Sequence, residues 1–409
     1  MFKRYLEPVI QNHLAKYRQM AFLMGPRQVG KTTLALSLLS SPQESVNYFN
    51  WDNPLHRKIL LTQIFNGKMS LKNSDQSVLV FDEIHKYPRW KNTLKGLFDT
   101  CEPQTHWIVT GSSALNVYRK GQDSLMGRYF SYYLCPLSVA EILDQGVRSK
   151  FSVEELFNFT PGASSSEAQE SFEQLFELGG FPEPFFKGEK NFLFKWRTSR
   201  LDRLINQDLA STEQLRQLKL VEHLMFLLPE RVGSPLSLNN LREDLEVHFA
   251  TVKHWLDLLE RVFYGFKIYP YSERARGRML KKEIKWYLWD WSEIEDPGIR
   301  FENMMAVHLL KYVYYLNDLG LGEFSLHYIR DREKREVDFL ICQKRKPWIA
   351  IECKLSADSV PASLVYYGAC LQLKKSFLIT REGKRSRSYR QQDQVIEHLP
   401  ASEFLRVLV

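Results

Sequence analysis

Met20-Ala21-Phe22-Leu23-Met24-Gly25-Pro26-Arg27-Gln28-Val29-Gly30-Lys31-Thr32-Thr33 is the stretch that decides how the first third of this chain folds. Its apolar start reads as a buried strand, and the run Thr33-Leu34-Ala35-Leu36-Ser37-Leu38-Leu39 reads as a helix. Between them stands G-x-x-x-x-G-K-[ST] without a mismatch. That spacing belongs to a loop whose backbone N–H groups face a phosphate at a helix N-terminus. In this reading Gly25, Arg27, Gln28, Gly30, Lys31, Thr32 and Thr33 cradle a nucleotide. Lys31 reaches the β- and γ-phosphates, and the Thr32 hydroxyl ligates Mg²⁺. ATP or GTP is the expected ligand.

The 409 residues suffice for two or three domains with a large core. Hydrophobic residues make up 44% and charged residues 25%, a balance that excludes a disordered chain. No stretch approaches the ~20 apolar residues that a membrane helix needs. The start, Met1-Phe2-Lys3-Arg4-Tyr5-Leu6-Glu7, has no signal-peptide apolar core. Cys101, Cys135, Cys342, Cys353 and Cys370 lie in no metal-ligand spacing and read as reduced thiols. These features lead us to expect a cytoplasmic protein with no membrane partner. The net charge of +8 tilts toward a polyanionic partner.

Working outward, strand-like runs at 20–24, 46–51, 78–81 and 107–110 alternate with helical runs, the pattern of an α/β fold. Ser77-Val78-Leu79-Val80-Phe81-Asp82-Glu83 is a buried strand ending in two carboxylates. Asp82 is placed to hold Mg²⁺, and Glu83 to polarise the attacking water. His106-Trp107-Ile108-Val109-Thr110-Gly111-Ser112-Ser113 is a further strand with a small polar end, which makes Thr110 and Ser112 candidate γ-phosphate or water sensors. Arg128, just before Tyr129-Phe130-Ser131-Tyr132-Tyr133, is a candidate arginine finger reaching a neighbouring subunit's phosphate.

Beyond residue 150 the character changes. Pro161-Gly162-Ala163-Ser164-Ser165-Ser166 is a loop, followed by a Phe-rich helical stretch broken at Gly179-Gly180-Phe181-Pro182-Glu183-Pro184. Leu236-Ser237-Leu238-Asn239-Asn240-Leu241 fits a capped helix start, and 250–259 has helical apolar spacing. The runs 266–271 and 284–289 then read as strands flanking a basic loop, Arg274-Ala275-Arg276-Gly277-Arg278. Helix, turn, helix and two-stranded ribbon is the winged-helix plan.

Near the C-terminus, a charged turn leads into the apolar strand that starts around Val337-Asp338-Phe339-Leu340-Ile341. Trp348-Ile349-Ala350-Ile351-Glu352-Cys353-Lys354 follows across Lys344-Arg345-Lys346-Pro347. Alternation puts Glu352 and Lys354 on one face, where Asp338 of the adjoining strand can meet them. Two converging carboxylates suit a divalent ion, and Lys354 suits the orientation of a water that attacks a phosphodiester. Glu302, on the helical run 301–315, would complete the metal site. The basic run 381–390 suits a phosphate backbone.

Phosphate loop, Asp-Glu strand and Thr-Gly-Ser-Ser strand, in that order, resemble an AAA+ type ATPase. More narrowly, Gly25–Thr32 with Phe81-Asp82-Glu83-Ile84-His85-Lys86, Gly127-Arg128, Pro136-Leu137-Ser138-Val139-Ala140-Glu141 and Leu178-Gly179-Gly180-Phe181-Pro182 resembles a prokaryotic family that joins this core to a C-terminal domain of unknown function. Asp338, Glu352, Lys354 and the upstream Glu302 resemble the PD-(D/E)xK nuclease fold, although Val337 stands where that motif has Pro. The resemblance implies a P-loop NTPase domain followed by a winged-helix domain and a restriction-endonuclease-like α/β domain. The divisions expected are 1–150 for the ATPase core, 151–212 for a helical connector, 213–296 for the winged helix and 297–409 for the nuclease-like part. It also implies ATP with Mg²⁺ as cofactors and a homo-oligomer, in which a ring would let Arg128 act in trans. An ATPase set beside two DNA-type modules leads us to expect a DNA-associated ATPase, with branched or damaged DNA as the candidate substrate class. The competing readings are an ATP-gated, metal-dependent nuclease and a signalling ATPase that binds a protein partner.

Overall fold

Residues apolar along a whole strand need cover on both faces, which is the situation of a parallel sheet flanked by helices. In the computed structural model, which describes residues 2–39, 47–66, 78–111, 125–144, 165–210, 215–272, 283–383, 386–391 and 394–409, Met20–Met24 is such a strand. The chain divides into two units, Met1–Cys135 with Arg261–Phe263, and Pro136–Glu260 with Tyr264–Val409.

In the first unit, α1 (Glu7–Lys16) precedes β1 (Met20–Met24), which runs through the phosphate loop into α2 (Lys31–Ser37). β2 (Tyr48–Asn50), α3 (Pro54–Ile59), β3 (Val78–Asp82), α4 (Trp90–Thr100), β4 (His106–Gly111) and β5 (Tyr129–Tyr133) follow. The strands form a parallel sheet in the order β2-β3-β4-β1-β5. β4 therefore lies between the phosphate-loop strand and the Asp82 strand. All five residues of β1 are buried, and Phe22, Phe81 and Trp107 form the aromatic heart of the sheet. In α4, Trp90, Leu94 and Phe98 repeat every four residues and supply its buried face.

The second unit begins with α5 (Val139–Leu143), α6 (Ser166–Leu178), α7 (Pro182–Lys187) and α8 (Lys190–Arg203). Gly180 between α6 and α7 is required by packing: a Cβ there would stand 2.4 Å from the Trp291 ring and 2.8 Å from Pro136. Next come α9 (Leu215–Leu227), α10 (Leu238–Asp244) and α11 (Phe249–Arg261). The Ser237 hydroxyl caps α10 by accepting from Asn240 N. β6 (Gly265–Pro270) and β7 (Lys285–Leu288) form an antiparallel hairpin.

The long α12 (Pro297–Asp318) starts where Asp296 caps the Ile299 N–H and Pro297 sets the first turn. β8 (Phe324–Arg330), β9 (Glu336–Gln343), β10 (Lys346–Lys354), α13 (Ala362–Cys370), β11 (Lys375–Thr380), β12 (Arg387–Gln391), β13 (Gln394–Pro400) and α14 (Ala401–Leu405) complete the chain. α13 closes over a core of Ile329, Val337, Leu340, Ala350 and Leu378.

The helices and hairpin expected between 236 and 289 are present, but the hairpin has another partner. β6 pairs with β8 through Tyr269↔His327 and Pro270↔Tyr328, which extends the C-terminal sheet to β12-β13-β11-β10-β9-β8-β6-β7. Ribbon and C-terminal strands share one sheet. Ser112, the loop at 161–164 and the basic loop at 274–278 lie outside the described residues. All five cysteines are free thiols. Among the described residues no helix is long and apolar enough to cross a membrane.

Candidate functional site

The phosphate loop folds as its glycines allow. Gly25 has φ +146° and Gly30 has φ +101°, and a Cβ on Gly25 would lie 2.2 Å from the Leu134 carbonyl oxygen. Arg4 holds the loop from outside it, donating to the Val29 and Cys135 carbonyls, the latter at 2.7 Å. At the loop's end the buried Lys31 Nζ donates to the Gly25 oxygen at 2.9 Å and the Pro26 oxygen at 2.6 Å. A cation turned back onto its own loop is a preformed ligand for phosphate oxygens, which can replace both carbonyls.

Sheet register assembles the rest. Phe81 pairs with Val109, so the next residues, Asp82 and Thr110, stand side by side, and Asn50 of β2 faces Asp82 from the other edge. Asp82 is 1% exposed and Thr110 is fully buried. Asp82 Oδ1 accepts from Thr110 Oγ1. Its Oδ2 accepts from Thr32 Oγ1 at 2.9 Å, from the Tyr48 hydroxyl at 2.7 Å and from Asn50 Nδ2 at 3.3 Å. Burial, and then its hydrogen bond to Asp82, pushes the Tyr48 hydroxyl well above its usual pKa, so it remains a donor. The carboxylate and the Thr32 hydroxyl are hard oxygen groups in direct contact beside Lys31, a donor set that fits Mg²⁺.

Glu83 follows in a left-handed conformation, φ +56°. Its Oε2 is buried and, among the described residues, accepts no hydrogen bond, with His85 Nε2 at 3.6 Å and Lys86 Nζ at 3.4 Å. Lys86 also binds Asp52 at 2.5 Å. Burial holds the His85 pKa below the usual imidazole value, which favours the neutral ring. A buried carboxylate oxygen with an open lone pair can take a proton from water.

Arg128 is elsewhere. It precedes β5, and its carbonyl accepts from Met20 N, at the end of the sheet opposite the phosphate loop. Its side chain forms a two-pronged pair with Asp99, Nε to Oδ1 at 2.8 Å and Nη2 to Oδ2 at 2.9 Å. The length of β1, about 16 Å at ~3.3 Å per residue, separates it from its own chain's loop.

In the second unit the four residues expected around a metal do come together, with an addition. Ile351 pairs with Phe339, so Glu352 and Asp338 face each other on neighbouring strands. Glu352 Oε2 accepts from Asp338 N at 3.3 Å, and Asp338 Oδ2 accepts from Cys353 N at 2.9 Å. Lys354 Nζ pairs with Glu352 Oε1 at 2.8 Å. Glu302, from α12, accepts from the Tyr287 hydroxyl at 2.7 Å. Burial, and then the Asp338 charge, pushes the carboxyls of Glu302 and Glu352 up to about 7. The addition is Lys285 of β7. Its ammonium is fully buried and lies 2.7 Å from Glu336 Oε1, 3.2 Å from Glu302 Oε1 and 3.9 Å from Asp338 Oδ1. Among the described residues, no group of three or more His, Cys, Asp or Glu side chains is arranged to hold a metal. The expected ligand set of Glu302, Asp338 and Glu352 therefore does not fit a divalent ion as it stands, because Lys285 already answers Glu302 and Asp338, and Lys354 answers Glu352.

Sequence reasoning missed Arg4, Tyr48, Asn50, Lys285 and Glu336. Lys285 alone left a signal, as the one charge in the apolar run Ile284-Lys285-Trp286-Tyr287-Leu288-Trp289.

Comparison with known proteins divides the chain in three. Residues 17–143 match an AAA domain, 169–292 a domain of unknown function (DUF8612) and 297–403 a second domain of unknown function (DUF4143). The chain is 25% identical to an uncharacterized protein of Methanocaldococcus jannaschii, over 87% of this chain and 81% of that one. It is 22% identical to an uncharacterized protein of Haemophilus influenzae, over 83% and 82%. Similar solved structures include the Aeropyrum pernix ORC1 protein in complex with DNA, with TM-score 0.32 and 15% identity over 74% of this chain and 90% of that one. A second is the Bacillus subtilis DNA clamp loader delta protein, with TM-score 0.28 and 11% identity over 62% and 88%.

Proposed function

We propose that the chain is a Mg²⁺-dependent ATPase that works on DNA as an oligomer. The observation that carries the ATPase reading is the buried Asp82 carboxylate, shared by Thr32 of the phosphate loop and Thr110 of β4. The AAA domain match over 17–143 covers the same residues. Bound ATP and Mg²⁺ would supply the phosphoanhydride bond and the charge that screens it. Lys31 then exchanges the Gly25 and Pro26 carbonyls for phosphate oxygens. Thr110, Tyr48 and Asn50 fix the Asp82 carboxylate, and Glu83 Oε2 takes the proton of the attacking water. Arg128, remote from its own loop, would serve a neighbouring subunit once released from Asp99.

The DNA reading is supported by the net charge of +8, by the order α10, α11 and β6–β7 hairpin, which follows the winged-helix plan, and by Arg387 and Arg390, exposed on the edge strand β12. Asp338 on β9 and Glu352 with Lys354 on β10, with the helix α12 and its Glu302 before them and the helix α13 after, match the arrangement the nuclease-like resemblance implies. Lys285 argues that such a domain grips DNA and does not cut it.

The test is ATP hydrolysis by the full chain and by Lys31→Ala, with duplex, single-stranded and four-way DNA. Turnover that needs Lys31 and Mg²⁺ and rises with one DNA form is the expected result. Equal turnover in Lys31→Ala would overturn the ATPase assignment, and indifference to every DNA form would overturn the DNA assignment alone.

A further inference from the structure

Like charges placed directly across two strands destabilise a sheet, and Asp338 and Glu352 are such a pair. Glu302 and Glu336 bring further negative charge to the same buried place. Such a cluster needs its charge offset, by proton uptake or by a cation among its members, because an uncompensated buried charge is far too costly. Lys354 meets Glu352 from the rim, with its side chain half exposed, and Arg330 meets Glu336 Oε2 at 2.9 Å. Neither reaches the middle. The middle belongs to Lys285, which touches Glu302 and Glu336, lies beside Asp338 and packs 5.4 Å from the Tyr328 ring centre. It arrives there from β7, whose hairpin is tied into this sheet by β6 and β8. Its position is therefore set by strand pairing, and the hydroxyl of Tyr287, two residues on and on the same face of β7, holds Glu302 as well.

We propose that Lys285 is the built-in cation of this carboxylate centre, standing where a divalent ion would sit, so that the centre binds no catalytic metal. A divalent ion could enter only by expelling a fully buried ammonium from three carboxylates, a lysine that the hairpin keeps in place. The centre thus serves as a charge-balanced joint between the β6–β7 hairpin, α12 and the sheet. The inference holds whether or not the first unit hydrolyses ATP, and its test reads neither ATP turnover nor DNA.

The experiment is Mn²⁺ binding to the nucleotide-free full chain, followed by calorimetry and by the loss of free Mn²⁺ signal in electron paramagnetic resonance. A site is assigned to this centre only if Asp338→Asn removes it. The wild type is expected to show no such site up to millimolar Mn²⁺. Lys285→Met is expected to bind Mn²⁺ at least tenfold more tightly than the wild type, in a manner that Asp338→Asn abolishes. Lys285→Arg, which keeps the charge, is expected to exclude the ion as the wild type does. Should Lys285→Met fail to fold, Lys285→Gln combined with Glu336→Gln removes one charge of each sign and takes its place. Asp338-dependent Mn²⁺ binding by the wild type overturns the proposal whatever the variants do. So does a folded neutral variant that gains no site, or a Lys285→Arg chain that binds as the neutral one does.

Discussion

Thr110→Val isolates the bond on which the Asp82 arrangement turns. The substitution keeps the branched shape of a fully buried side chain and removes only the hydroxyl that donates to Asp82 Oδ1. A hydrogen bond to a charged group contributes about 1.5–3 kcal/mol, and the upper part of that range applies where the abandoned acceptor cannot reach water. Asp82 is 1% exposed, and Thr32, Tyr48 and Asn50 all crowd its other oxygen, so nothing described replaces Thr110 at Oδ1. The expected loss is about 2–3 kcal/mol from the first unit. A unit the size of Met1–Cys135 should then melt roughly 10 °C lower, taking about 4 °C per kcal/mol.

Thr110→Ser is the control. It keeps the donor and removes a buried methyl, which costs about 1 kcal/mol. The assay is calorimetric melting of the full chain, with ATP turnover measured alongside. The valine variant should also turn over ATP roughly tenfold to a hundredfold more slowly, as a misplaced catalytic carboxylate would. A serine variant that loses more stability than the valine variant would refute the reasoning, because packing would then outweigh the hydrogen bond.

Two further outcomes follow from the geometry. Arg128→Ala should bind ATP normally and hydrolyse it poorly, and mixing it with the equally inactive Lys31→Ala should restore part of the turnover, since one chain supplies the loop and the other the arginine. A mixture as inactive as its parts would remove Arg128 from catalysis. His308, fully buried in α12 with Nδ1 against the Met304 carbonyl, has its pKa lowered to about 3 by burial, with the neighbouring Lys311 charge adding to the effect. Because the unfolded chain takes up that proton below about 6.5 and the folded chain does not, His308 weakens the fold as pH falls from about 6.5 toward 3, by up to about 1.4 kcal/mol per pH unit. Denaturant titrations should show wild type losing stability relative to His308→Gln over that window, and parallel pH profiles would contradict the buried neutral ring.

The parts of this molecule that were legible in the sequence are those whose cause is local. The apolar run Met20-Ala21-Phe22-Leu23-Met24, the glycines around Lys31 and the two acids ending β3 each carry their structural reason within a few residues, and each element formed at the expected place. The capped start of α10 at Ser237 is local in the same sense. What escaped depends on which strand lies beside which. Tyr48 and Asn50 are ordinary polar residues of a short strand until parallel pairing sets Asn50 opposite Asp82. Arg4 matters because the chain returns after 131 positions to offer it the Cys135 carbonyl. The hairpin 265–288 showed its two strands clearly, yet a strand's own residues do not say what covers its outer edge, and here that cover is β8. Lys285 combines both lessons. Its oddity, one charge in an apolar run, was visible, but its meaning was not, because the acids it answers lie on α12 and β9, at 302, 336 and 338. A carboxylate motif read by spacing alone invites a metal. A charge whose partner comes from a distant strand can satisfy the same electrostatic demand, and the nuclease-like reading of this chain turns on that difference.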